Sequence, residues 1–188
     1  MQENPAGKVK GGAIQSRLAF VRENGGEETA GRVLARLTEE DRKACAHVLV
    51  GAWYPFELNE RIDTAIAAEM AMGDNVFVLM GEKSAAHNLG STHRAFISDR
   101  DPHGLLRRAT QIYQAYYDTG RRTYERLDDK KAALRTHDSE TFSKHDCLIV
   151  VGWHKKAIEM CGGKNVRVIE TKCRARGADV CEYICEWS

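Results

Sequence analysis

The residues best suited to chemistry are three cysteines and a glutamate in the last quarter of the chain. Cys147, Glu170, Cys173 and Cys181 are separated by 22, 2 and 7 residues. Three thiolates and a carboxylate form a donor set that suits a tetrahedral zinc ion. A closed four-ligand site has no position for water or substrate, so its expected role is structural. The other interpretation is that these cysteines are small apolar core residues without a metal.

The predicted elements around these residues would bring them together. Two alternating segments, 166–172 and 180–187, predict a β-hairpin. Cys173 then lies where the first strand ends and Cys181 where the second begins, so the two thiols face each other across the mouth of the hairpin. Glu170 can turn its carboxylate to the same point from within the first strand.

A helix predicted over about 139–161 precedes the hairpin and must pack on it, which would bring Cys147 to the thiols. Cys185 is a rival fourth ligand, but four residues along a strand place it about 13 Å from Cys181. Cys45 and Cys161 are interpreted as core thiols.

The first hundred residues predict a helical layer. Apolar residues recur at helical spacing over most of residues 13–116. Gly25-Gly26 predicts the end of a first helix. Thr38 with Asp41 resembles a capping box and predicts the start of a later one.

The pattern changes after Gly120, where residues 121–127 and 131–136 predict another hairpin. The expected fold class is therefore α+β, with N-terminal helices packed on a C-terminal antiparallel sheet of four or more strands. Residues 1–12 are predicted as a flexible lead-in. Residues 13–188 are predicted as a single domain.

The composition of the 188-residue chain limits its location and partners. Lys and Arg number 28 and Asp and Glu number 27, which gives a net charge of +1 and no support for nucleic-acid binding. The N-terminus has no signal-peptide core, and no apolar run is long enough to span a membrane. A cytoplasmic location is expected, and disulfides are disfavoured there.

Several segments resemble a known family. The tail Val166–Tyr183, VRVIETKCRARGADVCEY, resembles the signature of the 4-vinyl reductase domain family. Residues 53–56, 101–106 and 116–120 resemble a myxobacterial paralogous family of unknown function within that group. The resemblance extends over nearly the whole chain, although only the tail motif is specific.

The resemblance implies a site and a fold. Phenol-sensing members hold zinc with Cys, Glu, Cys and Cys in the order and spacing found here, which implies a structural zinc on the four residues named above. Their fold is related to nitric-oxide-sensing haem domains and to subunits of a vesicle-tethering complex, and such relatives are commonly dimers. By simple offset, their pocket histidine and tryptophan fall near His103 and Tyr124. The Tyr-x-Ser-x-Arg pattern of the haem sensors is absent, so haem is not predicted.

Other conspicuous residues have two interpretations each. His103 either lines a ligand pocket or is a solvated first-turn histidine. The tyrosines at 113, 116 and 117 and the tryptophans at 53 and 153 could line a ligand site, but their spacing favours core packing. Arg121-Arg122 could meet an anion or belong to a charged surface.

These observations predict a non-catalytic signalling domain that senses a small apolar or aromatic ligand and is stabilised by zinc. The first alternative is a protein-interaction and dimerisation scaffold. The least favoured is a reductase-type enzyme accessory, because no catalytic constellation is visible. A sensor should contain a cavity of a few hundred Å³, whereas a scaffold should have a filled interior and an apolar surface patch.

Overall fold

The computed structural model describes residues 7–97 and 101–188. The elements in these ranges are β1 (Lys8–Lys10), α1 (Gly11–Ala35), α2 (Glu39–Ala46), β2 (Trp53–Pro55), α3 (Phe56–Glu69), α4 (Asn75–Gly90), α5 (Pro102–Tyr116), β3 (Arg121–Asp128), β4 (Lys131–His137), α6 (Lys144–Met160), β5 (Arg167–Lys172) and β6 (Cys181–Glu186), with 3₁₀ turns at Arg94–Phe96 and Arg174–Arg176.

The C-terminal half contains an antiparallel four-stranded sheet in the order β3-β4-β6-β5. Helices α5 and α6 cover one face of it. The core between helices and sheet includes Leu106 of α5, Leu134 of β4, Ile158 of α6 and Cys185 of β6, each fully buried. The predicted α+β class, with helices packed on an antiparallel sheet, is confirmed.

The helix boundaries follow local signals. Gly26 has a φ of 79°, which interrupts helical geometry inside α1 where Gly25-Gly26 predicted a break. The Thr38 hydroxyl accepts a hydrogen bond from the backbone N–H of Asp41 at 3.1 Å, as predicted for the cap of α2. The predicted start of α6 near Ser139 is wrong. Ser143 caps this helix by accepting from Asp146 N–H at 3.0 Å.

The beginning of the chain also differs from expectation. Residues 1–6 of the predicted lead-in lie outside the described residues. Residues 8–10 form strand β1, which pairs antiparallel with β2, and α1 begins at Gly11. Val9 anchors this strand, since its side chain is fully buried. Three residues are too few to show the alternating pattern from which a strand is predicted.

Helices α4 and α6 pack side by side with their backbones in contact. A Cβ added at Gly81 would overlap the carbonyl oxygen of Ile149, and one added at Gly152 would overlap that of Val78. Ion pairs join Asp74 to Lys144 at 3.2 Å and Glu82 to Lys155 at 2.7 Å, so the helices run in the same direction. Only glycine permits this close approach.

Three residues interpreted as core differ in their placement. Cys45 and Cys161 are buried in separate apolar clusters, as expected. Trp53 is 41% exposed, so its assignment to the core is wrong. Across the described ranges, the helices are too short or too polar to cross a membrane.

Candidate metal centre and adjacent cavity

The four predicted metal ligands converge at one point. Cys147 lies in the first turn of α6, Glu170 lies in β5, and Cys181 is the first residue of β6. Cys173 follows β5 directly. One side-chain ligand atom from each residue lies within 4.8 Å of all the others, and the three cysteines are buried.

The sulfur spacing fits a tetrahedral zinc ion. The Sγ atom of Cys147 lies 3.6 Å from that of Cys181 and 3.7 Å from that of Cys173. Zn–S bonds of about 2.3 Å in a tetrahedron place sulfur atoms about 3.8 Å apart. A disulfide would require about 2.05 Å. The arrangement therefore has the dimensions of a metal cage.

A β-bulge explains how Glu170 and Cys173 reach the same point. Side chains three residues apart in a regular strand point to opposite faces. The pairing of β5 with β6 shifts between Glu170 and Lys172, which leaves Thr171 as an extra residue. An extra residue resets the alternation, so Glu170 and Cys173 can share a face.

The carboxylate of Glu170 is available as a ligand. Its side chain is only 5% exposed, and neither of its oxygens has a hydrogen-bond partner among the described residues. Arg176 Nη2 lies 3.0 Å from Oε2 as an ion-pair partner, without hydrogen-bond geometry. A buried carboxylate without donors is costly unless a cation binds it. The residues present fit a zinc ion.

The thiols are unequal in their protonation. The hydrogen bond from Cys147 lowers the pKa of Cys181 to about 7 against the opposing effect of burial, and the backbone N–H of Arg174 lowers it further from 3.4 Å. The same thiol–thiol hydrogen bond, with burial, raises the pKa of Cys147. Burial also raises the pKa of Cys173. Cys181 is therefore the first of the three thiols to lose its proton as the pH rises, and the thiolate is the form that binds metal.

The rival ligand Cys185 does not join this group. It is fully buried on β6 against Leu106 and Ile158, and burial raises its pKa to about 12. Cys185 lies among apolar neighbours and behaves as a core residue.

A cavity lies beside α6, among four helices and the edge strand β3 of the sheet, which contributes Arg122. It is bounded by α1, α4, α5 and α6 and has a volume of about 670 Å³, including solvent at its opening. Its apolar wall includes Ile112 of α5 and Ile149 and Trp153 of α6. Tyr113, Tyr116, Tyr117 and Trp153 also line this space. Tyr113 is buried, and Tyr116 and Trp153 pack against an apolar cluster, as the core interpretation predicted.

A buried charge network forms one side of the cavity. Arg17 donates to Asp63 at 2.8 and 3.1 Å and to Asp146 at 2.8 Å. The hydroxyl of Tyr117 donates to both oxygens of Asp146 at 3.1 Å. Asp146 precedes Cys147, so this network connects α1 and α3 to the metal centre. The sequence contained a signal for it, since Arg17 interrupts the apolar series Ile14, Leu18 and Val21.

The cavity has two distinguishable ends. At its inner end it shares Tyr113, Arg122 and Val150 with a smaller void whose wall includes Cys147 and Cys181. At its outer end it shares five residues with a groove of about 950 Å³ between α1 and α4. These are Ser16, Met80, Ser84, Asn88 and Tyr116.

The two candidate pocket residues lie together but elsewhere. The Tyr124 hydroxyl and Nδ1 of His103 are hydrogen-bonded at 2.7 Å, and Nε2 of His103 lies 3.1 Å from the carbonyl oxygen of Asp129. His103 is buried against Trp187 rather than solvated. Neither His103 nor Tyr124 lines the cavity, the void or the groove in the described part of the chain.

Comparison with known proteins finds similarity in three dimensions only. No family model and no curated protein matches the chain. An H-NOX protein from S. oneidensis in the Fe(II)NO ligation state is 18% identical, with a TM-score of 0.72 over 95% of this chain and 99% of that one. The unliganded Fe(II) H-NOX protein from K. algicida is 13% identical, with a TM-score of 0.71 over 95% and 96%. A mutant of T. tengcongensis H-NOX is 10% identical, with a TM-score of 0.72 over 95% and 97%.

These identities establish the fold alone. The chain has the H-NOX fold, which confirms the predicted relation to the fold of haem nitric-oxide sensors. The finer resemblance to the 4-vinyl reductase family stays a prediction.

The cavity does not fit a haem group. Haem iron in proteins is usually held by histidine or cysteine, and less often by methionine or tyrosine. Among the described residues, neither histidine nor cysteine lines the cavity. The hydroxyls of Tyr113 and Tyr117 are engaged by Ser139 and Asp146, and Met80 and Tyr116 lie at the outer end. No step of the function proposed below involves haem.

Proposed function

We propose that this protein is a non-catalytic, zinc-stabilised domain that senses a small apolar or aromatic molecule. The observation that carries the proposal is the largely apolar cavity, which lies beside the four convergent ligands and shares α6 with them. Pockets for small ligands are mostly apolar, with a few polar groups that fix the ligand's orientation.

The zinc ion would bind through Cys147, Glu170, Cys173 and Cys181 and join α6 to the β5–β6 hairpin. A bound structural zinc contributes folding free energy directly. With all four positions filled by protein, the ion would hold the inner wall of the cavity in place and take no part in a reaction.

Signalling would arise from differential binding. Helix α6 carries Cys147 on its metal side and Ile149 and Trp153 on its cavity side. A ligand that binds one packing of α1 and α5 against this helix more tightly shifts the population towards that packing. The shift would alter the surface offered to a partner protein.

The interaction-scaffold alternative predicted a filled interior, and the cavity favours the sensor instead. The expected homodimer and cytoplasmic location stay predictions. Light scattering on purified protein would test the first of these.

The test combines metal analysis with ligand binding. Native mass spectrometry of protein purified without chelator should find one zinc per chain. Phenol, toluene and indole should quench or shift the fluorescence of Trp153 and raise the melting temperature. Trp153→Phe should remove the optical signal. Zinc-free folded protein would refute the structural zinc, and a chain unaffected by every compound would refute the sensor.

A further inference from the structure

Arg122 is the feature of the cavity that the proposed function leaves unexplained. Its Nε donates to the Thr136 hydroxyl at 3.1 Å, and its guanidinium lies over the ring of Tyr113, 4.6 Å from the centroid. Among the described residues it has no carboxylate partner. It lines both the cavity and the void beside the metal ligands.

The other cation of the cavity is already matched. Arg17 is buried and donates to two carboxylates, Asp63 and Asp146. The hydroxyl of Tyr117 supplies Asp146 with further hydrogen bonds. An anion that enters the cavity would find its available charge partner at Arg122 rather than at Arg17.

The negative charge of the metal centre has partners of its own. Arg176 lies 3.0 Å from Glu170, and the backbone N–H of Arg174 donates to Cys181. Arg122 faces both the void that Cys147 and Cys181 line and the cavity, where Tyr113 and Val150 are its neighbours in the wall.

We propose that the cavity binds a small organic monoanion, a carboxylate with an apolar body, and that Arg122 pairs with its anionic group. This inference rests on the proposed function, since it names the ligand class of the same cavity. An arginine can bind a carboxylate with two parallel hydrogen bonds. A carboxylate buried without such a partner would pay a large desolvation cost.

The two ends of the cavity fix the orientation of the ligand. The carboxylate lies at the inner end beside Arg122. The apolar body fills the space between Ile112 and Trp153, and larger substituents extend past Ser84 towards the outer groove. Arg122 thereby determines specificity for an acid over its neutral analogue.

The experiment compares benzoate with benzamide, which have nearly the same shape and differ in charge. Both are titrated by calorimetry against the full chain, Arg122→Gln and Arg121→Gln. Arg121 is the matched control, since it is exposed, lies 3.6 Å from Asp138 and does not line the cavity. The zinc content of each variant is measured in parallel.

Wild type and Arg121→Gln should bind benzoate at least ~10-fold more tightly than benzamide, as expected for a charge-assisted pair. Arg122→Gln should lose this preference and keep its affinity for benzamide. If that variant does not fold, Arg122→Lys, which retains the charge, should keep part of the preference.

Equal binding of the two compounds by wild type, or a preference that survives in Arg122→Gln, would overturn the inference. Loss of zinc from Arg122→Gln without a change in preference would assign the arginine to the metal centre instead. If phenol or toluene binds and benzoate does not, the anion inference fails and the sensor stands. If no compound binds, both proposals fall.

Discussion

Glu170→Gln tests the composition of the proposed metal site most directly. The substitution keeps the size of the side chain and removes the charge that makes it a ligand. Structural zinc sites contribute about 10–16 kcal/mol, or about 2.5–4 kcal/mol for each of four ligands. A carboxylate is a harder ligand than a thiolate, so we expect the lower end, which corresponds to about a 50–100-fold weaker zinc affinity.

The assay is competition for zinc with a chromophoric chelator at pH 7.5, with the zinc content checked by native mass spectrometry. Glu182→Gln is the matched control. Glu182 lies next to Cys181, but its carboxylate pairs with Arg135 at 2.5 Å and accepts from Thr171 at 2.8 Å. The Glu182→Gln variant should retain the zinc affinity of the wild type. If Glu170→Gln also retains it, the carboxylate is not a ligand, and the orphaned oxygens of Glu170 need another explanation.

Three further predictions concern stability. Cys173→Ala should lose zinc and soluble folding, because a structural site contributes folding free energy directly; a wild-type melting temperature would show the site to be dispensable. Gly81→Ala should lower the free energy of unfolding, measured in urea, by about 3 kcal/mol, because its Cβ would overlap the Ile149 carbonyl. The control Gly31→Ala has open space around it and should raise that free energy by up to about 1 kcal/mol. Equal effects of the two substitutions would contradict the close packing of α4 and α6. Burial keeps the pKa of His154 well below its usual 6.5, so the unfolded chain takes up a proton first as the pH falls. Between pH 6.5 and 5 this should cost about 2 kcal/mol of stability. His154→Phe should lose that part of the pH dependence, and an unchanged pH profile would refute the assignment.

Much of the architecture could be predicted from local signals. The turn between Cys173 and Cys181 and the alternation on both sides of it predicted the hairpin. The cap at Thr38 depends on neighbouring residues alone. Such features are visible in a sequence because their causes lie within a few residues.

The details that complete the site depend on distant pairing. The bulge at Thr171 results from the register between β5 and β6, which no local pattern specifies. Helical spacing showed that Tyr113 and Trp153 point inward, but periodicity cannot show whether the interior is filled or hollow. His103 looked like a surface residue because its partner Tyr124 is brought to it only by the fold.

The glycine contact between α4 and α6 has a consequence for movement. Because no side chain separates the two backbones at Gly81 and Gly152, neither helix can rotate or slide against the other without a collision of main-chain atoms. The pair is therefore a rigid frame that holds one wall of the cavity and Cys147 together. Any expansion that admits a ligand has to come from α1 and α5, and the surface that reports ligand binding should be found on those two helices.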